Sequence, residues 1–285
     1  YPAPLPLPVL ALNYGDIATI PIANNLLQFG LLPEDEVQYI AEQAWREGKK
    51  RVAILAINNN WGARLAQKFT DIWQELGGEI VLDKRFEKRG KYRKLIAQVS
   101  GIKLKDVRKF KKAQDYLPQY RQDIDFIFLA SPATQAQQIK ANLNFYLAAD
   151  IPVYASSHVY ANAHISGQNH DIENIYFPSM PWMFYSHKQL RTDLHQIIDN
   201  SNVQVERMYA LGVDAFMLSN KLPTIAIDKP GYTMFGATGD LTIDKHGIVN
   251  SRLIWSKVHK GKLQAVVTPL QSKSQVYQYN RYLSK

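Results

Sequence analysis

The most regular feature of the chain is a short continuous run of apolar residues followed by a stretch with helical periodicity. Such runs predict buried strands at Pro8–Asn13, Arg51–Ile57 and 125–130, and further strands at 79–86, 151–156 and 175–180. Continuous rather than alternating apolar strands, each followed by a helix, are typical of a parallel sheet covered on both faces. The pattern therefore predicts an α/β fold built from right-handed β-α-β units.

The helices are predicted from apolar residues that recur every three or four positions. One begins at Pro33, where the acids that follow suit the positive end of the helix dipole, and ends at Gly48. Another ends at Gly77 and carries one apolar face: Leu65, Phe69, Ile72 and Leu76. A later helix at 203–220 carries the stripe Val205, Met208, Gly212, Ala215 and Phe216.

The C-terminal third has a different pattern. Strands are predicted at 232–244, 251–259 and 263–268, and they are separated by turns at Lys245–Gly247 and Lys260–Gly261. A chain of 285 residues suits two lobes of ordinary size. We predict one lobe at 1–32 and 183–248, incomplete at its N-terminus, and another at 33–182 and 249–285 with a basic insert at 88–120.

Composition changes this picture in two respects. The chain has no cysteine, which excludes thiolate catalysis, disulfides and zinc–thiolate sites. The net charge of +9 is concentrated in residues 84–121, which hold 14 basic and 3 acidic side chains. The remainder holds 20 basic and 22 acidic side chains, so the basicity belongs to one segment rather than to the fold.

The basic insert has two interpretations. It could form an anion-binding arm, in which Val107, Phe110, Ala113 and Leu117 give an amphipathic helix and Arg108 and Lys109 contact a partner. Sparse aromatic residues argue against nucleic acid, and none is expected as a partner. The alternative is a solvated surface insertion.

Four stretches resemble the type I periplasmic binding proteins, in this order along the chain: 51–81, 125–142, Tyr209–Leu218 and Gly236–Asp244. The third contains Ala-x-Gly-x-Asp-Ala-like spacing, and the fourth has the spacing Gly-x-x-Gly-x-Leu-x-x-Asp. Within that superfamily the chain is similar to the LppC/LpoA lipoprotein family. The segments that select this family are PVLALN, LLPEDE, 154–157 and 207–215.

The resemblance implies a two-lobed type I fold with parallel sheets flanked by helices. It also implies a periplasmic lipoprotein on the inner face of the outer membrane, anchored through a lipid that precedes this chain. The expected function is non-enzymatic activation of a class A penicillin-binding protein, with peptidoglycan as a further contact. The chain departs from type I proteins in opening late in the first lobe, so several tens of residues of that lobe are expected to be missing.

Candidate chemistry is sparse. No Gly-x-Ser-x-Gly elbow is present, and Ser156-Ser157-His158 is interpreted as a polar exit from a strand rather than a hydrolase site. His158, His164 and His170 lack a short metal-binding spacing, so no metal is expected. Gly236–Gly239 lacks the Lys-Ser/Thr of a phosphate loop and predicts a turn entering a strand. No catalytic residue or cofactor is predicted.

A ligand cleft would lie at the carboxyl ends of the parallel strands. The candidates there are Tyr14, Trp61, Ser131, Ser156 and Ser157. The bulk of Trp61 and the presence of His158 instead of an acid argue against a standard amino-acid pocket. A solute-binding protein for an amino acid, peptide or muropeptide therefore remains the alternative function.

The aromatic segment 181–185 follows a predicted strand. Its side chains Trp182 and Phe184 are candidates for contact with a partner, because large aromatic residues are favoured at interface centres. Packing inside the fold is the alternative.

Overall fold

A computed structural model describes residues 7–15, 26–102, 121–145, 150–161, 166–184, 187–198, 202–222 and 232–266. The chain forms two compact units. The first unit comprises Tyr1–Leu32, Ser179–Ile254 and Leu270–Lys285. The second unit comprises Pro33–Pro178 and Trp255–Pro269.

The described residues contain twelve strands and six α-helices. The strands are β1 Val9–Ala11, β2 Leu26–Gln28, β3 Arg51–Ile57, β4 Glu79–Phe86, β5 Phe126–Ala130, β6 Val153–Ala155, β7 Ile175–Ser179, β8 Thr233–Phe235, β9 Asp240–Ile243, β10 Val249–Arg252, β11 Ile254–His259 and β12 Lys262–Ala265. The helices are α1 Pro33–Arg46, α2 Asn60–Glu75, α3 Arg93–Ser100, α4 Ala133–Phe145, α5 Lys188–Ile197 and α6 Val203–Ser219. None of these helices is long and apolar enough to span a bilayer.

The second unit is built on a seven-stranded sheet with the order β12-β11-β7-β6-β5-β3-β4. Strands β4, β3, β5, β6 and β7 pair in parallel, and β12 pairs antiparallel with β11 at one edge. This confirms the predicted parallel sheet, to which the C-terminal hairpin adds an antiparallel edge.

Aromatic side chains fill the core between this sheet and its helices. Phe69 of α2 stacks on Phe128 of β5, with ring centroids 4.1 Å apart, and also on Trp73 at 5.7 Å. Trp73 meets Phe126 edge to face at 5.2 Å. All four rings are completely buried, so the aromatic side chains of α2 cover those of β5.

The start of α2 shows why the sequence turns where it does. Asn59 caps the helix by accepting a hydrogen bond from the Gly62 amide at 2.7 Å. A Cβ atom on Gly62 would lie 2.1 Å from the Ile57 carbonyl oxygen, so only glycine fits this turn. The predicted polar turn after β3 is therefore a compact helix cap.

The first unit contains two smaller sheets. Strands β1 and β2 pair in parallel, and β8, β9 and β10 form an antiparallel sheet with β9 in the middle. The turn between β9 and β10 is held by Asp244, which accepts hydrogen bonds from the amides of His246 and Ile248. Leu27, Phe29, Leu218 and Leu241 form one of its apolar clusters.

Several details differ from the sequence predictions. Strand β1 is half-buried rather than buried. The stripe predicted for α6 is wrong as a packing face, because Met208 is 55% and Phe216 70% exposed. The helix buries another set of residues that includes three charged side chains: Val203, Glu206, Arg207, Ala210, Asp214, Ala215 and Leu218. Because this buried face contains charged side chains, the periodicity of apolar residues alone does not identify it.

Two further differences concern the C-terminal third and the insert. The strand predicted at 232–244 is two strands, β8 and β9, which a turn at 236–239 separates. Helix α3 was not predicted within the basic insert. The amphipathic helix predicted around Val107 and Phe110 lies outside the described residues.

Candidate functional site

The carboxyl ends of the parallel strands in the second unit bring four of the predicted cleft residues to one edge of the sheet. Ala56 of β3 is in register with Ala130 of β5, and Leu129 of β5 is in register with Ala155 of β6. Trp61 follows β3, Ser131 follows β5, and Ser156 and Ser157 follow β6. We call Trp61, Ser131, Ser156, Ser157 and His158 the strand-end cluster.

Ser157 is held by a buried carboxylate. Both its backbone amide and its hydroxyl donate to Glu36 of α1, each at 2.7 Å. Glu36 is 2% exposed. The two groups are 121 residues apart in sequence, and the only sequence signal was an acid near the start of a helix. This arrangement attaches the first turn of α1 to the end of β6.

The remaining members of the cluster contact one another or their own backbone. The rings of Trp61 and His158 lie against each other with centroids 5.0 Å apart. The Ser131 hydroxyl donates to the carbonyl oxygen of Pro132 at 3.0 Å. The Ser156 hydroxyl is fully buried and finds no hydrogen-bond partner among the described residues.

Tyr14, the fifth predicted cleft residue, belongs to the first unit. Its hydroxyl lies 3.3 Å from the Gly30 carbonyl oxygen and 3.2 Å from that of Val249. A Cβ atom on Gly30 would lie 2.9 Å from the tyrosine ring, so the ring packs directly on the Gly30 backbone. In the first unit this side chain joins two segments of backbone.

The predicted partner-contact residues have different environments. Trp182 is 1% exposed, and its indole nitrogen donates to Glu206 at 2.5 Å. Phe184 is partly exposed. Arg108 and Lys109 lie outside the described residues.

Glu206 is the buried centre of a polar cluster in the first unit, and the other charged or titratable side chains of the cluster are partly exposed. Besides Trp182, it meets the Arg191 guanidinium at 3.0 Å and the ring of His195. Burial by itself would raise the pKa of Glu206, but the hydrogen bonds from Trp182 and Arg191 outweigh it and lower the pKa below 4.5. The cluster therefore holds a charged carboxylate inside the unit and ties α5 to α6.

Asp214 of α6 explains the glycine-rich motif that follows. Its carboxylate accepts hydrogen bonds from the amides of Ala237 and Thr238, at 2.6 and 2.7 Å, and from the Thr238 hydroxyl at 2.6 Å. A Cβ atom on Gly236 would lie 2.5 Å from this carboxylate. Burial raises the pKa of Asp214, although these hydrogen bonds lower it in part. Asp214 thus joins the segments Tyr209–Leu218 and Gly236–Asp244, which are separate in sequence. The glycines make a turn between strands, as predicted.

Comparisons with known proteins agree with this fold. The family model described as "LppC putative lipoprotein" matches residues 3–261. A relative from Erwinia tasmaniensis, named penicillin-binding protein activator LpoA, is 27% identical over 284 residues, covering 90% of this chain and 41% of the relative. A Vibrio cholerae relative of the same name is 25% identical, covering 88% and 42%. The chain thus spans about two fifths of the length of these relatives.

Solved structures give the same architecture. The C-domain of Haemophilus influenzae LpoA, described as a regulator of PBP1A, superposes with a TM-score of 0.68 at 22% identity, covering 90% of this chain and 74% of that one. A leucine-binding protein from Thermotoga maritima superposes with a TM-score of 0.54 at 16% identity, covering 86% and 68%. At these identities the structures establish the fold alone. The predicted type I periplasmic binding protein-like fold is confirmed.

Proposed function

The chain belongs to the LppC lipoprotein family, and from this premise we propose that it is a non-enzymatic regulator that binds and activates a class A penicillin-binding protein. The observation that carries the proposal is the alignment of about nine tenths of the chain with relatives named penicillin-binding protein activators. The chain spans about two fifths of those relatives, and we assign to it the binding of the partner.

The contacts of the strand-end cluster support a role without catalysis. A serine nucleophile needs a base that removes its proton and an oxyanion site beside it. The Ser157 hydroxyl instead attaches α1 to β6 through Glu36, and the Ser131 hydroxyl bonds to the neighbouring Pro132 carbonyl. These hydroxyls stabilise the fold.

An activator of this kind acts by differential binding. If the chain binds the active conformation of its partner more tightly than the resting one, saturation with the chain raises the ratio of active to resting partner by the ratio of the two affinities. No bond needs to be made or broken in the activator. The partner alone would polymerise and cross-link peptidoglycan.

The proposed location follows from the family description as a lipoprotein. We place the chain in the periplasm, held to the inner face of the outer membrane by a lipid anchor that would precede it. Peptidoglycan would be a further contact, and nucleic acid would not.

The test is reconstitution with a purified class A penicillin-binding protein from the same organism. We expect the 285-residue chain to bind it and to raise the cross-linked fraction of the peptidoglycan product, measured by separating digested muropeptides. An amino-acid-binding protein of the same fold, added at the same concentration, is the matched control. Absence of binding together with an unchanged cross-linked fraction would refute the proposal.

Solute binding is the second candidate, and the buried Ser156 hydroxyl without a described partner is the observation that favours it. A ligand that offers a hydrogen-bond acceptor there would satisfy this hydroxyl. The ring contact between Trp61 and His158 opposes it, because two large side chains already occupy part of this edge. A thermal-shift screen of leucine, dipeptides and muropeptides separates the candidates, since a ligand at 100 times its Kd adds about 2.7 kcal/mol of stability. Stabilisation that Ser156→Ala abolishes would make solute binding the better assignment.

A further inference from the structure

The loop between β4 and α3 presents a dense positive charge. Residues 88–94, here called the basic loop, contain five basic residues whose side chains are all exposed: Lys88, Arg89, Lys91, Arg93 and Lys94. Within the part of the chain that the structure describes, none of the five forms an ion pair. Five unpaired cations in seven positions repel one another unless an anion neutralises them.

The fold holds this loop in one shape. The ring of Tyr92 is 4% exposed and packs edge to face on Phe86, with centroids 5.6 Å apart. The Tyr92 hydroxyl reaches the carbonyl oxygens of Glu87 at 3.0 Å and Lys88 at 3.2 Å, and the Gln135 amide also donates to Lys88 at 3.2 Å. The basic side chains therefore project from a fixed backbone rather than from a flexible tail.

The start of α3 breaks a general rule of helix construction. Acids are favoured in the first turn of a helix, because the amide groups there carry partial positive charge. Here Arg93 and Lys94 occupy that turn, no acid is present in it, and the N-cap residue Tyr92 supplies no side-chain hydrogen bond. An external anion would pair with both the side chains and the amide groups. Local rules broken in this way are expected at functional sites.

The sequence neighbours of the loop add little negative charge. Glu87, the acid beside it, accepts a hydrogen bond from the Asn58 amide at 2.6 Å. Residues 103–120, which follow α3 in sequence, contain six basic and two acidic side chains and so have the same sign. An acidic surface on another molecule would supply the opposite charge that the described part of the chain does not pair with the loop.

We propose that the basic loop is a docking surface for a carboxylate-rich face of the penicillin-binding protein partner, an inference that depends on the proposed function. Arg89 and Arg93 offer planar guanidinium groups, whose geometry matches carboxylates. The exposed side chains of the loop include no aromatic residue that could stack on bases and no aliphatic residue that could enter a bilayer. A rigid set of cations on a folded surface suits a folded acidic surface opposite it.

The experiment compares two triple variants of the 285-residue chain. Lys88→Glu, Arg89→Glu and Lys91→Glu reverse the basic loop and leave α3 unchanged. Lys188→Glu, Lys245→Glu and Lys262→Glu reverse three exposed lysines elsewhere. Each set changes three charges by two units, so both lower the net charge from +9 to +3. Circular dichroism melting curves establish that each variant is folded before binding is measured.

Binding to the purified penicillin-binding protein is measured by biolayer interferometry over a range of salt concentrations. We expect the loop variant to associate about tenfold more slowly than the wild type at low salt, because complementary charges accelerate association. The control variant should stay within about twofold of the wild type on the same grounds. The salt dependence of wild-type association should be largely lost in the loop variant.

Other outcomes overturn the proposal in distinguishable ways. Equal binding of the two variants would refute the basic loop as the docking surface and would leave the proposed function unchanged. Failure of the wild type to bind at any salt concentration would refute both the docking surface and the proposed function. Vesicles of phosphatidylethanolamine and phosphatidylglycerol provide a further arm. If reversal of the loop abolishes vesicle binding and leaves binding to the protein unchanged, the surface belongs to a membrane and the proposal is wrong.

Discussion

Both units contain a helix carboxylate that holds a loop by hydrogen bonds, but the surroundings of the two carboxylates differ. In the second unit the Glu36 carboxylate accepts hydrogen bonds from the amide and the hydroxyl of Ser157. In the first unit the Asp214 carboxylate accepts hydrogen bonds from the amide and the hydroxyl of Thr238. In each case a helix carboxylate holds a loop through one hydroxyl-bearing residue. The two units differ in the side chains that form the rest of their cores.

The second unit has a large aromatic core, whereas the first unit combines smaller apolar clusters with buried charge. Phe69, Trp73, Phe126 and Phe128 form one contiguous layer between sheet and helices. On one helix of the first unit, Glu206 and Asp214 are both completely buried. We infer that the stability of the second unit depends mainly on apolar burial, and that of the first unit on specific polar contacts. Five substitutions, each compared with a control or with one another, test this distinction from the largest expected effect to the smallest.

Phe69→Ala should destabilise the second unit most. It removes a ring that stacks on both Phe128 and Trp73 and leaves a cavity, and such changes cost about 3–5 kcal/mol. Urea unfolding followed by tryptophan fluorescence measures the loss. Phe216→Ala, at a 70% exposed position of the first unit, should change stability by less than about 0.5 kcal/mol. Similar losses in both variants would contradict the assignment of the core.

Asp214→Ala should have the largest polar effect in the first unit. It leaves two buried amides and one hydroxyl without their acceptor, which we expect to cost about 3 kcal/mol. Hydrogen exchange at Ala237 and Thr238 should become faster. Asp71→Ala, at an exposed position of α2, is the control and should cost less than about 0.5 kcal/mol. Unchanged exchange at the turn would show that Asp214 does not hold it.

Glu206→Gln should weaken the first unit in a pH-dependent way. The variant keeps the shape of the side chain and removes its charge, at an expected cost of about 2 kcal/mol at neutral pH. Because the pKa of Glu206 is lowered in the folded protein, the charge contributes stability above pH 4.5, and this contribution is lost as the pH falls through the folded value.

The measurement is the free energy of unfolding of both proteins from pH 7 to pH 3. The difference between the wild type and Glu206→Gln should shrink below pH 4.5. A difference that stays constant across this range would mean that the charge of Glu206, which pairs with Arg191, does not stabilise the unit.

Ser157→Ala and Thr238→Ala should have the smallest effects and should resemble each other. Each removes one hydroxyl bond to a buried carboxylate while the backbone amide continues to donate, so each should cost about 1 kcal/mol. Urea unfolding of the pair tests whether the hydroxyl bond is equivalent in the two units. A loss at Ser157 as large as that at Asp214 would mean that Glu36 depends on this hydroxyl far more than its geometry indicates.

The sequence predicted the second unit more completely than the first. The bounds of β3 agree with the predicted segment Arg51–Ile57, because its continuous apolar run ends at a polar turn. The bounds of β4 agree with the predicted segment 79–86, which begins directly after two glycines. In the first unit the stripe Met208–Gly212–Phe216 of α6 was predicted from apolar residues alone. The face that is buried contains Glu206 and Asp214, whose partners no periodicity identifies.

The candidate residues show the same division. Their position at strand ends was predictable, since the carboxyl ends of parallel strands share one edge. Glu36 as the partner of Ser157 was not, and neither was Glu206 as the partner of Trp182. The five basic residues of the basic loop were visible as a charge run with a solvated surface insertion as one interpretation, but the contacts of Tyr92 that hold their backbone were not predictable.

By itself, the sequence determined the α/β class, the succession of β3, α2 and β4, and the concentration of positive charge in one segment. These properties depend on local periodicity and composition, which each segment carries with it. The tertiary structure alone decided which polar groups meet, because Glu36 and Ser157, or Asp214 and Thr238, become neighbours only after the chain has folded. A buried carboxylate needs a hydrogen-bonding partner, but only the folded chain selects which one it has.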